Sequence, residues 1–227
     1  MSKNLFITGT GTDVGKTFVT GLIVKKLKEA GLNAAYYKAA MSGNDRDENG
    51  ELIPGDALYV KQISGIEQPL EEMCPYIYEN AYSPHLASRI EGNPVRLEVV
   101  KQGFEQVKSK YDYVTMEGSG GIVCPICFDE AKIQLEHVIK ALDMPCLIIA
   151  DAGLGTINSV VLTVEYMRAR NIPVKGIIFN YFHENNVMEE DNLRMCEYYT
   201  GAKVIACVKD EDTELDISVE ELISLYR

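Results

Sequence analysis

Apolar segments of strand length alternate with segments of helical period along this 227-residue chain. The predicted strands cover residues 5–7, 33–38, 111–116, 145–151, 174–179 and 203–208, and the predicted helices cover residues 17–29, 97–109, 131–142, 156–170, 188–199 and 218–226. Strands that are apolar throughout are buried on both faces, and the helices between them cross over the sheet. We therefore expect an α/β fold with a mostly parallel sheet, helices on both faces and a single domain over residues 1–227.

The acidic balance of the chain restricts the partners that it can attract. The net charge is −12 at pH 7, so nucleic acid and anionic membranes are not attracted by charge in general. No apolar run approaches the roughly 20 residues that span a bilayer, and the first residues lead into a strand without a signal-peptide core. We expect a cytoplasmic protein that acts on small molecules, with no nucleic-acid or membrane partner.

The cysteines of the chain do not form a recognisable metal or redox motif. Six are present, and in a cytoplasmic protein they are expected to be reduced and partly buried. Cys124 and Cys127 form a lone C-x-x-C pair, and the three histidines are scattered along the chain. Because a second pair of ligands at suitable spacing is not evident, a zinc or redox role is disfavoured.

Distinctive polar groups follow the predicted strands. They are the segments Gly9–Thr17, Glu117–Gly121 and Asp151–Asn158 and the single residues Lys38 and Asn180. The carboxyl ends of parallel strands share one edge of a sheet, where ligands bind. We therefore expect these five segments to converge on one crevice. Turn formation alone explains the glycines but not the recurring Lys, Glu and Asn.

The segment Gly9–Thr17, GTGTDVGKT, stands between a predicted strand and a predicted helix. Its glycines allow successive N–H groups to face one anion, and the helix N-terminus adds partial positive charge. In such a loop Lys16 meets the β- and γ-phosphates and the Thr17 hydroxyl binds Mg²⁺. Thr10 stands where the usual spacing has its first glycine. An ordinary glycine turn leaves Lys16 and Thr17 unexplained, so the segment predicts nucleotide binding and a P-loop NTPase fold.

Three further charged residues are candidates for the same site. Lys38 ends an apolar strand, where it either reaches solvent or faces a second anion or a transferring phosphoryl group. Asp56 is interpreted either as the N-cap of a short helix or as a Mg²⁺ ligand. Glu117 is interpreted either as a turn residue or as a second Mg²⁺ ligand. Ser83 is predicted to cap another short helix, with Pro84 as its first residue.

The motifs together resemble the dethiobiotin synthetase family. They are Gly9–Thr17, Tyr37-Lys38 with Ser42-Gly43, Asp56-Ala57, Ser83–His85, Glu117–Gly121, Gly153–Asn158, and Gly176 with Asn180. The chain departs from the family pattern at Gly11, Asp13, Ala39 and Ser159. It also lacks the family's G-x-I-P sequence at 206–209.

The resemblance implies site residues, a cofactor and an assembly. It implies Lys16 and Lys38 as catalytic residues and Thr17, Asp56 and Glu117 as Mg²⁺ ligands. It implies that ATP, the co-substrate, is bound by Thr12, Asp13, Val14, Gly15, Lys16, Thr17 and Asn180, with Asn180 reading the nucleobase. It implies that the other substrate is bound by Thr12, Lys38, Ser42, Gly118, Gly153, Thr156 and Asn158. In the family the Gly153–Asn158 turn comes from the neighbouring subunit, which implies a homodimer.

The reaction implied by the resemblance is the ATP-dependent closure of a ureido ring. An amine of 7,8-diaminononanoate takes up CO₂, and the resulting carbamate oxygen attacks the γ-phosphate to give a carbamic–phosphoric anhydride. The second amine then attacks the carbonyl carbon and phosphate leaves, so no protein nucleophile is required.

Two other functions are alternatives to this ligase activity. A nucleotide-switch ATPase of the related P-loop group would act through a protein partner. Such proteins often carry a further lysine early in the loop, where this chain has Thr10 and Gly11. A corrin-amidating ligase would need a glutaminase domain, for which 227 residues leave no room.

Overall fold

A six-stranded parallel sheet lies at the centre of the computed structural model, which describes residues 2–227. In chain order the strands are β1 (Lys3–Gly9), β2 (Ala34–Lys38), β3 (Met41–Ser42), β4 (Ile77–Tyr78), β5 (Tyr113–Gly121), β6 (Pro125–Phe128), β7 (Lys132–Gln134), β8 (Cys146–Asp151), β9 (Val174–Asn180) and β10 (Val204–Cys207). The central sheet has the strand order β10-β9-β8-β1-β5-β2, and each neighbouring pair is parallel. Strands β3 and β4 form one small sheet, and β6 and β7 form another.

Helices connect the strands of the central sheet. They are α1 (Lys16–Glu29), α2 (Gly55–Ser64), α3 (Pro84–Ile90), α4 (Leu97–Lys110), α5 (Leu135–Ala141), α6 (Thr156–Ala169), α7 (Val187–Thr200) and α8 (Val219–Ser224), with a 3₁₀ turn at Leu70–Glu72. Among residues 2–227 no helix combines the length and the apolar character needed to cross a membrane.

The sheet separates two apolar clusters, which explains why its strands are apolar throughout. Leu5 and Ile7 of β1 lie in the cluster that includes residues of α1, α2 and α8. Phe6, between them, faces the opposite cluster, which includes residues of α4, α5, α6 and α7. Successive side chains of a strand alternate between faces, so each face of β1 is covered by helices. The predicted α/β fold, with a parallel sheet between two helical layers, is confirmed.

The segment 131–142 differs from the sequence prediction of one helix. Lys132–Gln134 form β7, which pairs antiparallel with β6, and α5 begins only at Leu135. The apolar spacing of this segment fits a helix. Its first residues instead form backbone hydrogen bonds with β6, the other strand of a hairpin. Pairing of this kind depends on a partner strand and overrides local propensity.

The carboxyl end of β5 also differs from the prediction. The strand continues through Glu117 to Gly121, so Glu117 is a strand residue and not a turn residue. Its register places it opposite Lys38 of β2 and Ile7 of β1. A Cβ on the following residue, Gly118, would lie 2.9 Å from the side chains of both Phe6 and Leu135. The glycine therefore allows the strand to continue against this packed layer.

Two predicted helix starts have different outcomes. Asp56 is not an N-cap, because Pro54 occupies that position and Asp56 lies in the first turn of α2. Helix α3 begins at Pro84 after Ser83, as predicted, although the Ser83 hydroxyl lies 2.9 Å from His85 Nδ1 and does not cap the helix backbone.

Replacement of Phe104 by alanine tests the packing of α4 against the sheet. Phe104 is fully buried, and its ring centroid lies 5.6 Å from that of Tyr37. We expect Phe104→Ala to lower the free energy of unfolding by about 3–5 kcal/mol, measured in urea. The control Phe128→Ala, at a side chain that is 52% exposed, should cost less than about 1 kcal/mol. Equal losses for the two variants would contradict this packing.

Candidate active site

A cleft of about 750 Å³ opens at the carboxyl edge of β1, β5 and β2. Most of the predicted site residues line it: Thr12, Asp13, Gly15, Lys16, Thr17, Lys38, Ser42, Asp56 and Glu117. The loop after β1 supplies Thr12, Asp13 and Gly15, and the first turn of α1 supplies Lys16 and Thr17. The other four are Lys38 of β2, Ser42 of β3, Asp56 of α2 and Glu117 of β5. The parallel register of the three strands therefore brings together residues that are far apart in the chain.

The Lys38 ammonium joins the two carboxylates of the cleft. Its Nζ lies 2.7 Å from Glu117 Oε1 and 2.6 Å from Asp56 Oδ2. The side chain of Lys38 is 7% exposed and that of Glu117 is fully buried, whereas that of Asp56 is 40% exposed. Of the two carboxylates, Asp56 is thus the one that faces the open part of the cleft.

Further hydrogen bonds hold the two carboxylates in place. The Thr17 hydroxyl lies 2.9 Å from Glu117 Oε1 and 3.3 Å from Asp56 Oδ1. On the buried side, the Tyr36 hydroxyl donates to Glu117 Oε2 over 3.0 Å. Both oxygens of Glu117 therefore have partners, as a buried carboxylate requires.

The surrounding charges decide the protonation of this cluster. Burial disfavours the charged form of Lys38, but Glu117 and Asp56 outweigh it and raise the pKa of the lysine. Burial also opposes ionisation of Asp56, yet the Lys38 ammonium holds the pKa of that carboxyl below its ordinary value. Burial and the charge of Glu117 raise the pKa of Tyr36 well above its ordinary value, which keeps its hydroxyl a donor.

The loop after β1 has the geometry of an anion-binding turn. Helix α1 begins at Lys16, directly after Gly15, whose φ is +77°. The Lys16 ammonium donates to the Gly11 carbonyl over 2.8 Å, and burial lowers the pKa of this lysine. A lysine, a helix N-terminus and a left-handed glycine at one turn favour a bound phosphate group.

The oxygens of Thr17, Asp56 and Glu117 fit a magnesium ion. Hydroxyl and carboxylate oxygens are ligands that Mg²⁺ prefers, usually together with phosphate oxygens and water. The three side chains belong to different elements, and the Thr17 hydroxyl is within hydrogen-bonding distance of both carboxylates. Within the described chain, the positive charge between the Asp56 and Glu117 carboxylates is that of the Lys38 ammonium.

Six of the predicted site residues do not line this cleft. They are Val14, Gly118, Gly153, Thr156, Asn158 and Asn180. The turn Gly153–Asn158 follows β8 and none of its residues lines the cleft, so the five segments that were expected to converge do not all do so in this chain. Gly118 is packed against Phe6, and Val14 is buried beneath the loop.

Asn180 lies under the loop and not on the surface of the cleft. Its side chain is fully buried and donates to the Val14 carbonyl over 3.2 Å. Its Oδ1 atom has no hydrogen-bond partner within residues 2–227. Asn180 therefore supports the loop through Nδ2 and keeps one free acceptor.

Two tyrosines at the site were not singled out from the sequence. Tyr36, which is buried beneath the cleft and bonds Glu117, stands two positions before Lys38 on the same face of β2, so strand alternation was the signal that could have identified it. Tyr181, directly after Asn180, lines the cleft beside the phosphate loop. Cys124 and Ser119 also line the cleft, and Ser119 donates to the Ala40 carbonyl over 3.1 Å.

The cysteines show no sign of a metal or disulfide site in the described residues. All six are free thiols, and five of them are buried. Burial raises the pKa of Cys124 to about 11, and it does the same for Cys196. No group of three or more His, Cys, Asp or Glu side chains within residues 2–227 is arranged to hold a metal ion through protein ligands alone.

Substitution of Gly15 tests the geometry of the loop. A Cβ on Gly15 would lie 2.0 Å from Asn180 Nδ2, whereas a Cβ on Gly31, at nearly the same φ of +76°, would meet nothing within 4 Å. Both alanine variants carry backbone strain of about 1–2 kcal/mol. Only Gly15→Ala must also displace Asn180, so we expect it alone to weaken Mg-ATP binding, about tenfold or more by calorimetry. Equal affinities of the two variants would contradict the close approach of Asn180.

Comparisons with known proteins identify the family. A family model described as an AAA domain matches residues 3–214. The chain is 52% identical over 217 residues to the ATP-dependent dethiobiotin synthetase BioD of Brachyspira hyodysenteriae, covering 95% of this chain and 96% of the relative. It is 46% identical over 226 residues to the enzyme of the same name from Clostridium botulinum strain Loch Maree, covering 100% and 99%.

Solved structures are similar in fold alone. The MinC:MinD cell division complex of Aquifex aeolicus matches with a TM-score of 0.59 at 15% identity, over 99% of this chain and 86% of that chain. Together with the match to the family model, the likeness confirms the predicted fold class, an α/β fold with a mostly parallel sheet and helices on both faces. Identity of about half over nearly the whole chain is far more specific, and the chain belongs to the ATP-dependent dethiobiotin synthetase family.

Proposed function

We propose that this protein uses ATP and CO₂ to close the ureido ring of 7,8-diaminononanoate, giving dethiobiotin, ADP and phosphate. Membership of the family supports this activity. The structural observation that carries it is the position of Lys38, which joins Glu117 and Asp56 next to the phosphate loop. A P-loop that only bound nucleotide would not require a buried lysine at this position.

The residues of the cleft suit a reaction in which negative charge moves between two oxygens. The carbamate oxygen attacks the γ-phosphate, and charge accumulates on the transferred group. Lys16 approaches that group from the loop and Lys38 from β2, so the two ammonium groups stabilise it from different sides. The second amine then attacks the carbonyl carbon and phosphate leaves. Positioning and charge stabilisation supply the catalysis.

The proposed reaction includes a magnesium ion in the same cleft. We propose that Thr17, Asp56 and Glu117 hold the ion, since their oxygens come together beside the loop. When bound, the ion neutralises charge on the phosphate oxygens. The Tyr36 hydroxyl, which donates to Glu117 Oε2, orients that carboxylate.

The remainder of the cleft suits an aliphatic diamine. Several residues that line the cleft have apolar or weakly polar side chains, namely Ala40, Met41, Ala81, Tyr82, Pro84 and Cys124. Ser42, which donates to the Tyr82 carbonyl over 2.5 Å, and Thr12 line the same cleft. We propose that the apolar side chains hold the methylene chain of the substrate and direct its amines toward Lys38.

We also propose that the substrate carboxylate is bound by the Gly153–Asn158 turn of a second subunit in a homodimer. Thr156, the first residue of α6, is buried and its hydroxyl has no partner within the described chain. A helix N-terminus favours an anion. Leu154 is 91% exposed and Leu162 is 62% exposed on the same segment. Large exposed apolar side chains around this turn suit burial against a second copy.

We propose that residues 1–227 act as one domain in the cytoplasm, on small molecules and not on nucleic acid or membranes. The net charge of −12 supports the absence of a general attraction to polyanions. The nucleotide-switch ATPase is not favoured, because the relatives at 46–52% identity are named as synthetases.

The role of Lys38 is tested by measuring ADP release that depends on both diaminononanoate and bicarbonate. We expect Lys38→Ala to lower kcat at least ~100-fold, since a donor to the transferred group is lost. Thermal unfolding of the variant is recorded as well, because removal of one partner of a buried ion pair costs about 3–5 kcal/mol. The control Lys203→Ala changes a lysine that is 78% exposed and does not line the cleft.

Two results would exclude parts of the proposal. An unchanged kcat for Lys38→Ala would remove this lysine from the mechanism. ATP turnover by the wild-type protein that is indifferent to both diaminononanoate and bicarbonate, or that persists after chelation of magnesium, would exclude the ligase as written.

A shared site is tested by mixing two inactive variants. Asn158→Glu places a negative charge where the substrate carboxylate is proposed to bind, and Lys38→Ala disables the other half of the site. Mixed dimers carry one intact site, so an equal mixture should recover about a quarter of the wild-type sites. A mixture of Lys38→Ala and Lys16→Ala is the matched control and should recover nothing, because both residues belong to one subunit. No recovery in either mixture would exclude the shared site.

A further inference from the structure

Ser83 and His85 form a hydrogen-bonded pair at the cleft. The Ser83 hydroxyl lies 2.9 Å from His85 Nδ1. Ser83 is exposed and lines the cleft, whereas His85 is half-buried and does not line it. A serine before a helix ordinarily uses its hydroxyl to cap a backbone N–H group, but the Ser83 hydroxyl caps none and faces the imidazole instead. The pair therefore connects the cleft to a basic nitrogen.

Ser83 lies among the residues proposed to bind the diamine. The carbonyl of Tyr82, which is bonded directly to the nitrogen of Ser83, accepts a hydrogen bond from the Ser42 hydroxyl over 2.5 Å. Tyr82 and Pro84, on either side of Ser83, are two of the side chains proposed to hold the methylene chain. The Ser83 hydroxyl is thus a polar group beside the place where the amines of the substrate are directed toward Lys38.

The proposed reaction requires a proton acceptor for the substrate. An amine attacks CO₂ or a carbonyl carbon only when its electron pair is free. Repulsion between amines on adjacent carbons lowers the pKa of one, but the other stays an ammonium near neutral pH, as that of lysine does with a pKa of about 10.4. The Asp56 and Glu117 carboxylates are held by Lys38. These two carboxylates are therefore not free to take the proton.

The surroundings of His85 leave its imidazole free to gain and lose a proton. Among residues 2–227, His85 forms no salt bridge with a carboxylate. The strands packed against α3 are β3, β4 and β6, and their titratable residues are Tyr78 and Cys127. Arg89, one turn further along, is the charged residue of α3. No carboxylate partner therefore fixes the protonation of the ring.

We infer that Ser83 and His85 remove a proton from the substrate ammonium. The inference rests on the proposed function, because it takes the cleft to hold the diamine. As the ammonium N–H bond breaks, its proton passes to Ser83 Oγ and the proton of that hydroxyl passes to His85 Nδ1, while the electron pair stays on the amine nitrogen. The imidazolium then releases a proton to solvent. Ser83 contacts the substrate, and His85 acts through Ser83 as the proton acceptor.

The inference is tested by the pH dependence of kcat/KM for diaminononanoate at saturating Mg-ATP. The ratio of His85→Gln to wild type is measured at each pH from about 7 to about 9.5, so that changes in dissolved CO₂ cancel. We expect kcat/KM of the variant to be about 100-fold lower near pH 7. The deficit should fall below about tenfold near pH 9.5, because the solution then supplies free amine. A role in packing alone would give the same deficit at every pH.

His137→Gln is the matched control. His137 also lies in the first turn of a seven-residue helix, α5, where its Nδ1 accepts a hydrogen bond from the backbone nitrogen of Gln134 over 3.1 Å. Because His137 does not line the cleft, its variant should have the pH dependence of the wild type.

Variants of Ser83 test whether the two residues act together. Ser83→Ala should reproduce the deficit of His85→Gln, whereas Ser83→Thr keeps a hydroxyl and should keep most of the activity. Two residues of one relay are not additive, so the double variant Ser83→Ala/His85→Gln should lose less than about twofold beyond the larger single loss. If His85→Gln does not fold, Ser83→Ala, at an exposed residue, carries the same pH test.

The possible results separate this inference from the proposed function. A deficit of His85→Gln that is equal at every pH would overturn the inference, and so would a Ser83→Ala variant with the activity of the wild type. A double-variant loss equal to the product of the two single losses would also overturn it. A wild-type protein that does not turn over diaminononanoate at any pH would instead overturn the proposed function.

Discussion

The Lys38 ammonium forms the two ion pairs that join β2, β5 and α2 at the cleft. Glu117 is fully buried, and a buried carboxylate without a partner would cost several kcal/mol. Lys38 neutralises its charge, Tyr36 donates a hydrogen bond to it, and Lys38 also joins it to Asp56. The end of β2, the middle of β5 and the first turn of α2 are therefore joined by charge as well as by packing. The Thr17 hydroxyl, in the first turn of α1, is joined to both carboxylates by hydrogen bonds.

The overall architecture could be predicted from the sequence because it depends on burial, which leaves a strong local pattern. Leu5, Phe6 and Ile7 are all apolar because the two faces of β1 are both covered. The hairpin of β6 and β7 could not be predicted in the same way. Lys132–Gln134 form a strand only because β6 lies beside them, and no periodicity within the segment shows that partner.

The site was predicted where the residue type itself carries the chemistry. Lys16 and Thr17 end a glycine-rich loop, Lys38 ends an apolar strand and Glu117 follows an apolar run, and all four line the cleft. Tyr36 and Tyr181 were missed because tyrosine beside a strand is equally typical of a packed core. The turn Gly153–Asn158 does not line the cleft of its own chain. A local pattern shows that a turn follows a strand but not which residues lie beside it in the folded chain.

The burial of the thiols has a practical consequence. Five of the six cysteines are buried, and burial raises the pKa of both Cys74, to about 12, and the partly exposed Cys207, to about 11. Maleimides and similar reagents attack the thiolate, which these groups rarely form near neutral pH. A cysteine engineered onto the surface would therefore be labelled selectively in the folded protein, and the native thiols would not have to be removed before attaching a probe or an immobilising tether.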